Sequence, residues 1–396
     1  MSDAGAPDWR RNLAAVTVAS FVGFTGFTLV MPFLPLYLEE LGVHDTGTIA
    51  IWAGLSLGVT PAVTALMAPV WARVADRFGR KIMVVRSLFS FVVIMAAMAF
   101  VTAPWQVLAL RAVQGFFAGY GMLALTMAAE SAPQAHMARA IGWVQTAQRL
   151  GPALGPLIGG ALARVVGLRV SFLAAAGLFL GACALVMFMY REGPRRARDA
   201  DAPPARTTLR SLLQIPGFLL FLGTIFALQL VDRSFGPVLP LYLREIGLGP
   251  GDVPVVAGLV FTCAAGAAAI GNQLCAWLLS RVGAPTVATT AAAMAAVAAA
   301  VFSYGPARAG VLLPAATVFG AGIGLVFTTL YTLAGTRVPS DQRGVAFGYL
   351  TTASLSGLAI SPVVSGLLGA VSMRSVFIAD AVGLSAIALV LRRRLR

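Results

Sequence analysis

The chain has 396 residues, of which 59% are hydrophobic and 11% are charged. Soluble domains carry about 25% charged residues, so this composition excludes a water-soluble globular protein. The net charge of +14 would fit nucleic-acid binding, but the basic residues lie between apolar stretches, and we expect a membrane protein that binds no nucleic acid. The 3 cysteines and 2 unclustered histidines exclude a disulfide-rich secreted scaffold and indicate neither a metal site nor another cofactor.

Twelve apolar runs are long enough to cross a membrane, which takes about 20 mostly apolar residues. They cover residues 13–38, 48–72, 82–103, 105–129, 140–163, 168–190, 213–243, 251–279, 284–304, 308–336, 345–369 and 375–391. The first run is too long for the apolar core of a signal peptide, and we expect it to remain in the mature protein. The sequence therefore predicts an all-α membrane protein with twelve transmembrane helices.

The distribution of basic residues predicts the orientation of these helices. An even number of spans places both chain termini on one side of the membrane. With the termini in the cytoplasm, twenty-one basic residues lie on the inner side and five on the outer side. Because cytoplasmic loops carry the excess of Lys and Arg, we predict cytoplasmic termini. The remaining three basic residues lie inside spans: Arg111, Arg149 and Arg233.

The chain divides into two similar halves. Residues 192–212 form a polar stretch rich in Pro, Ala and mixed charges, and they predict a flexible cytoplasmic linker between the bundles 1–191 and 213–396. The run 32–42 recurs at 237–247, an offset of 205 residues, and matching glycines continue this repeat. Two pseudo-symmetric, like-oriented six-helix bundles create a central substrate site that opens alternately to each side, which indicates a transporter.

The loop after the second span combines an acid with several basic residues. It reads Ala-Arg-Val-Ala-Asp-Arg-Phe-Gly-Arg-Lys over residues 72–81. An acid at a helix end among guanidinium groups can form a charge network that holds one conformation and breaks in the other. The alternative is a row of solvated charges that only sets the topology. The residues with a predicted gating role are Asp76, Arg77, Gly79, Arg80 and Lys81.

The fourth span carries a basic residue near its middle, within the run Arg111-Ala-Val-Gln114-Gly115. An arginine at that depth costs about 2.5–3.5 kcal/mol on insertion scales, so it needs a partner or a wet cavity. Alternatively, Arg111 snorkels to the outer surface, because Trp105 lies only six residues before it.

The fifth span contains a glycine- and proline-rich run over residues 151–160. Glycines four residues apart line one helix face and permit close backbone approach, while prolines bend the helix. Such a seam would limit ion leakage, whereas generic packing of small residues is the alternative. The run includes Gly151, Pro152, Gly155, Pro156, Gly159 and Gly160.

These three motifs resemble the G-x-x-x-D-R-x-G-R-[RK], R-x-x-Q-G and g-x-x-x-G-P-x-x-G-G signatures of the major facilitator superfamily. Ala72 replaces the leading glycine of the first signature. The chain is most similar to the twelve-helix drug:proton antiporter family, and within it to multidrug efflux transporters of the MdtG type. The resemblance implies the major facilitator fold, proton coupling through Arg111 and an antiporter role for the glycine run.

Buried charges are the candidates for coupling and for substrate binding. Asp232 can alternate between a proton and a cationic substrate, unless a stable ion pair with Arg233 makes it a structural lock. The first span carries no acid before Glu39 and Glu40, so we place the proton site at Asp232. We also expect Asp380 near a helix end, in a capping or interfacial role, and Glu130 as a solvated loop charge.

An adaptable pocket for drug-like compounds needs aromatic and methionine side chains together with a few polar groups. Arg149 is expected to be buried, where it would bind an anionic group or pair with Asp232. Most aromatic side chains of the spans are instead expected to face lipid or the bundle core. The predicted cavity residues are Phe24, Met31, Gln114, Tyr120, Arg149, Gln229 and Arg233.

The sequence thus predicts a proton-coupled exporter of lipophilic compounds, complete as a monomer in the bacterial inner membrane. Its partners are a small-molecule substrate, protons and the lipid bilayer. Three arginines within spans favour an exporter of an anionic metabolite or sugar as the alternative, and a proton-symport importer is a third class. No nucleophile–base pair or phosphate-binding loop indicates an enzyme or a nucleotide-driven pump.

Overall fold

The computed structural model of the chain describes residues 9–133, 136–191, 209–305, 308–339 and 342–395. Within these residues the regular structure is α-helical, and no strand occurs among them. The helices are α1 (Trp9–Leu29), α2 (Leu34–Glu40), α3 (Thr46–Phe78), α4 (Arg80–Met98), α5 (Pro104–Phe117), α6 (Tyr120–Ser131), α7 (Met137–Val166), α8 (Leu168–Met189), α9 (Leu209–Leu213), α10 (Phe218–Arg233), α11 (Phe235–Glu245), α12 (Val253–Val282), α13 (Ala284–Tyr304), α14 (Ala309–Arg337), α15 (Arg343–Val371) and α16 (Met373–Arg394).

Ten segments of the described residues are long and apolar enough to cross a membrane. The two predicted spans outside this set are the fourth and the fifth. Gly119, with a φ of +125°, divides the fourth span into α5 and α6, and neither part is long enough alone. The fifth span is α7, whose first half carries Gln145, Thr146, Gln148 and Arg149. The predicted all-α membrane fold is confirmed, and the helix order is consistent with twelve spans.

The first and seventh spans are broken at equivalent places. The first is divided between α1 and α2, and the seventh is divided at Ser234 between α10 and α11. Proline lacks an N–H group, and its ring crowds the carbonyl four residues earlier. Pro32 and its equivalent Pro237 therefore disrupt the helix at Thr28 and Arg233. Both breaks lie deep in the bundle, because the residues around them are mostly buried.

The internal repeat also appears as a repeat of contacts. Tyr37 and Tyr242 are buried at equivalent positions, 205 residues apart. Each hydroxyl donates to a backbone carbonyl at 2.5 Å and 2.6 Å, respectively, and each ring packs on a phenylalanine, with centroids 4.8 Å and 4.9 Å apart. The partners are the carbonyl oxygens of Met98 and Phe302 and the rings of Phe172 and Phe377. The two halves therefore share one packing scheme.

Residues 192–208 of the predicted linker lie outside the described residues, and α9 covers 209–213. Just before this segment, the chain after α8 is hydrogen-bonded to α1. The Asn12 amide donates to the carbonyl of Arg191 at 2.8 Å and accepts from its N–H at 2.9 Å. The first half is thus tied together where the predicted linker begins.

Candidate functional site

The two halves meet along two seams that are near copies of each other. In one seam α3 packs against α15, and in the other α12 packs against α7. A Cβ added to Gly54 would overlap the carbonyl oxygen of Pro362, and a Cβ added to Gly258 would overlap that of Pro156. These two contacts are related by the internal repeat. Backbones approach so closely only where glycine leaves room.

A second pair of contacts lies nearer the helix ends. Gly160 of α7 packs against the carbonyl of Pro254, and a Cβ on Gly366 of α15 would lie 2.5 Å from the carbonyl oxygen of Ala50. These positions also match under the repeat. The seams are therefore closed by backbone contacts on both sides of the pseudo-two-fold axis.

Two ion pairs join the halves at the same end of the bundle. Glu39 pairs with Arg244, and Arg164 Nη1 lies 3.0 Å from Asp252 Oδ1. The first pair joins repeat-equivalent positions, so it lies on the pseudo-symmetry axis. We call this end, opposite the chain termini and containing these four residues, the closed end. Toward the other end, α7 and α15 carry exposed polar residues such as Thr351.

The glycine run of α7 contacts two different helices. Gly151, Gly155 and Gly159 face α1, where a Cβ on Gly151 would lie 2.8 Å from the carbonyl oxygen of Phe21. Gly160 and Pro156 face α12 of the other half. Pro152 and Pro156 are both accommodated within the continuous helix. The glycine- and proline-rich run therefore packs α7 against α1 of its own half and against α12 of the other half.

Arg111 and Gln114 form a buried group of hydrogen-bond donors. Arg111 is 2% exposed, and its Nη1 donates to Gln114 Oε1 at 3.0 Å. The Nε and Nη2 atoms of Arg111 and the Nε2 atom of Gln114 have no partner among the described residues. The snorkelling alternative is wrong, because the side chain is buried. Buried donors of this kind call for an acceptor, which an anionic or carbonyl group would supply.

Asp232 and Arg233 lie together at the end of α10. Arg233 Nε lies 3.0 Å from Asp232 Oδ2, although the contact lacks hydrogen-bond geometry. Both side chains are partly exposed. The two charges are in contact but share no hydrogen bond, and the role of Asp232 as a proton site stays a prediction. The pair lies one residue before the break in the seventh span.

The other predicted cavity residues are dispersed. Phe24 and Tyr120 are in contact, with ring centroids 5.3 Å apart. Met31 is half-buried and reaches toward α11 of the other half. Gln229 accepts a hydrogen bond from Ser354 at 3.1 Å. Arg149 is exposed, so the expectation that it is buried is wrong; polar neighbours on α7 keep that face of the helix accessible.

The predicted gating loop is held within its own half. Gly79 has a φ of +103° and separates α3 from α4. Arg80 pairs with Glu130 of α6, and Lys81 Nζ donates to the carbonyl of Tyr190 at 2.7 Å. Glu130 is therefore a helical, ion-paired residue and not an unpaired loop charge.

Two further predicted gating residues complete the loop. The Arg77 guanidinium lies 5.5 Å from the ring centroid of Phe78. The backbone of Asp76 belongs to α3, but its side chain lies outside the described part of the structure.

An apolar groove of about 670 Å³ lies between α3, α5 and α15. None of the predicted cavity residues lines it. Its lining carries no charged group and consists of Leu55, Gly58, Val59, Ala62, Trp105, Leu108, Ala109, Ala112, Ala359, Ile360 and Val363. The groove therefore offers an apolar molecule contact with both halves and with no charged side chain.

Sequence reasoning missed two polar sites. Asp380 is 5% exposed, and its Oδ2 lies 2.6 Å from Ser234 Oγ, so its expected capping or interfacial role is wrong. Arg86 lies 3.5 Å above the Trp71 ring and donates to the carbonyl of Phe117 at 3.2 Å, where α5 ends. The internal repeat could have indicated Asp380, because its counterpart in the first half is alanine and the acid is therefore specific to the second half.

The family model of the Major Facilitator Superfamily matches residues 16–362, and a second match covers residues 254–396. Multidrug resistance protein MdtG of Citrobacter koseri is 30% identical to the chain over 381 residues, covering 95% of the chain and 93% of that protein. The MdtG protein of Escherichia coli is 29% identical over 377 residues, covering 94% and 92%.

Solved structures with the same fold span the whole chain. A bacterial homolog to the human lysosomal transporter Spinster, in an inward-facing and occupied conformation, superposes with a TM-score of 0.80 at 17% identity and covers 98% of each chain. The nucleoside transporter NupG gives a TM-score of 0.71 at 14% identity, covering 97% of this chain and 99% of that one. At such identities the likeness shows the fold alone.

Proposed function

The chain belongs to the major facilitator superfamily and is a multi-pass membrane transporter, and we propose that it exports lipophilic, drug-like compounds in exchange for protons. It would act as a monomer in the bacterial inner membrane. The multidrug resistance proteins named above support this substrate class. The observation that carries the proposal is the position of the α7 glycine run between α1 and α12.

A glycine seam of this kind suits an exchanger. Gly159 packs against the carbonyl of Leu29 in the same half, while Gly160 packs against Pro254 in the other half. Because backbone meets backbone, the seam has no room for a continuous file of water. Protons then cross only on a side chain that moves with the conformational change, which couples their flow to that of the substrate.

Alternating access follows from the closed end and the predicted orientation. With cytoplasmic termini, the closed end faces the outside, and the conformation is inward-facing. Opening to the outside then requires the Glu39–Arg244 and Arg164–Asp252 pairs to separate. The same step requires α3 to separate from α15 and α12 from α7 at the glycine contacts.

Proton coupling in this proposal uses Asp232. Its carboxylate lies beside Arg233, so protonation would neutralise the acid and free the guanidinium. The pair adjoins the break in the seventh span, where a local change can alter the angle between α10 and α11. A lipophilic cation would compete with the proton for the same carboxylate.

A lipophilic substrate fits the surfaces on both sides of the interface. The apolar groove between α3, α5 and α15 offers such a substrate contact with both halves. Phe24 and Tyr120 form an aromatic pair where α1 meets the fourth span, and Met31 lies at the interface between the halves. Flexible and aromatic side chains of this kind adapt to ligands of different shape.

The second candidate substrate is an anionic metabolite or sugar. The unpartnered nitrogens of Arg111 and Gln114 specifically favour it, since they are donors without an acceptor. A carboxylate or a hydroxyl oxygen of the substrate would satisfy them. Proton coupling would then involve Arg111 together with the substrate.

Everted vesicles with an imposed pH gradient test the proposal. We expect lipophilic cations to trigger proton release from vesicles that contain the wild-type protein. Asp232→Asn should abolish this release, because the amide cannot bind and release a proton. Glu245→Gln is the matched control, an exposed acid at the closed end, and it should behave like the wild type. A response to anions alone would instead support the second candidate, and an unchanged Asp232→Asn variant would reject Asp232 as the proton site.

A further inference from the structure

Asp380 occupies an unusual place for an acid. It lies in the interior of α16, seven residues after the helix begins, and is 5% exposed. Its neighbour Ser234 is also buried and occupies the break between α10 and α11. The carboxyl group therefore touches the seventh span at the point where that span is divided.

Two oxygen atoms lie within hydrogen-bond distance of the Ser234 hydroxyl. Ser234 Oγ is 2.9 Å from the carbonyl oxygen of Val231 and 2.6 Å from Asp380 Oδ2. A backbone carbonyl only accepts, and a hydroxyl has one hydrogen to donate. If Ser234 donates to Val231, the short contact with Asp380 needs a hydrogen from the carboxyl group. A neutral carboxylic acid satisfies both contacts. A carboxylate would take the Ser234 hydrogen instead, since the Val231 carbonyl also accepts from the Ser234 N–H at 3.3 Å, and that hydroxyl would be its one side-chain donor among the described residues.

The surroundings of Asp380 provide no compensating charge. The helices packed against α16 are α10, α11, α13 and α15. Together with α16 itself, their described charged or titratable side chains are Asp232, Arg233, Tyr242, Arg244, Glu245, Tyr304, Tyr349, Arg374, Arg392, Arg393 and Arg394. None of these side chains forms an ion pair or a hydrogen bond with Asp380. A buried carboxylate without a cation or several donors would be costly.

We propose that Asp380 is a second proton-binding residue, neutral in this conformation, and that its protonation depends on the position of the helix break at Ser234. When the break moves away from α16, water reaches the carboxyl group and accepts its proton. Proton release is thereby tied to the hinge of the seventh span. This role in coupling rests on the proposed proton exchange, whereas the protonation of Asp380 does not.

The first half lacks this arrangement. The positions equivalent to Ser234 and Asp380 are Leu29 and Ala175, both buried and apolar. A proton bound at Asp380 is therefore a property of the second half and not a requirement of the shared packing scheme.

Infrared spectroscopy of the full chain in lipid tests the protonation directly. The wild type should show the carbonyl stretch of a neutral carboxylic acid, and Asp380→Asn should lose that band. The asparagine amide can still donate to Ser234 Oγ, so this variant is expected to fold. Asp232→Asn should retain the band. Identical bands in the wild type and Asp380→Asn would overturn the proposal.

A second variant covers the case in which Asp380→Asn fails to fold. Ser234→Ala removes the acceptor of the carboxyl hydrogen, so the band should move to higher frequency without being lost. An unmoved band would show that the acid does not donate to Ser234 and would overturn the inference.

Proton release from vesicles separates the two proposals. If the band behaves as expected but no compound releases protons from the wild type, the proposed exchange fails while Asp380 remains a neutral acid. If the wild type exchanges protons and Asp380→Asn does so at an undiminished rate, the coupling role of Asp380 is overturned. A loss of substrate-induced proton release of tenfold or more in Asp380→Asn is the expected result.

Discussion

Each half contains a seam between two of its own helices, α1 and α7 in the first half and α10 and α15 in the second. The two seams begin with the same kind of close contact. A Cβ on Gly151 would lie 2.8 Å from the carbonyl oxygen of Phe21, and one on Gly357 would lie 2.7 Å from that of Phe226. These positions match under the internal repeat. The two halves therefore use the same close approach of helices at this level.

One and two turns further along the helix the seams differ. The first half continues with Gly155 and Gly159, and the second has Ser361 and Ser365 at the matching positions. Ser361 donates to the carbonyl of Leu230, so its seam is joined by a hydrogen bond. The first half packs these glycines against the backbone and the Thr28 side chain of α1, whereas the second has a polar seam beside a buried acid. Under the proposed proton exchange, this difference favours the second half as the one that moves when the proton binds or leaves.

Exchanging glycine and serine between the two seams should have the largest effect on stability. Gly159→Ser places a Cβ on the carbonyl oxygen of Leu29, so α1 and α7 must separate. Overpacking of this kind destabilises by about 3 kcal/mol. The reverse change, Ser365→Gly, should cost only about 1 kcal/mol, the penalty of glycine in a helix.

Thermal unfolding of both purified variants in detergent checks this expectation. Ser365→Gly serves as the matched control, because it makes the same exchange at the equivalent place. Equal losses of stability in the two variants would mean that the seams do not differ as described.

Removing the hydrogen bond of the polar seam should have a smaller effect. Ser361→Ala leaves the carbonyl of Leu230 without its side-chain donor and should cost about 1 kcal/mol. Thr352→Ala is the control on the same helix, since the exposed Thr352 hydroxyl donates to the carbonyl of Gly348 within that helix. Chemical unfolding curves of the two variants should separate, with only Ser361→Ala shifted. A shift of the same size in Thr352→Ala would contradict a special role for the seam.

The sequence predicted much of this architecture, because it depends on composition and local pattern. Apolar runs gave the spans, and the repeat around Pro32 and Pro237 predicted two like halves. The glycine spacing on α7 predicted a close contact but not its two partners, since periodicity gives a helix face and not the neighbour. The burial of Asp380 and the exposure of Arg149 depend on which helices meet, and one chain's local pattern does not contain that information.

The two seams between the halves also differ, at the closed end. Arg164 and Asp252 form an ion pair across the seam of α7 and α12, whereas the matching positions on α3 and α15, Thr48 and Ala370, carry no charge. Both charged side chains are more than half exposed. Asp252→Asn should therefore lower stability by less than about 1 kcal/mol, and high salt should abolish the difference. Arg308→Gln, an exposed charge at the same end, is the control; a salt-independent loss in Asp252→Asn would show that the residue acts by packing.

The smallest expected effect concerns the start of α3, which differs from the start of α12. Asp45 accepts hydrogen bonds from the hydroxyl and the backbone N–H of Thr48, at 2.6 Å and 2.7 Å, whereas Asp252 at the start of α12 caps no N–H.

These hydrogen bonds, first the one from the Thr48 side chain, hold the pKa of Asp45 below its ordinary value. Its stabilising contribution is thus complete above the unfolded pKa of about 3.9 and is lost as the pH falls through the lower folded value. Asp45→Asn keeps an oxygen acceptor for the cap, so stability near pH 7 should change little while the acid-induced loss becomes shallower. Unfolding midpoints measured from about pH 7 down to pH 3 test this, and parallel curves for the variant and the wild type would rule out Asp45 as a source of the acid sensitivity.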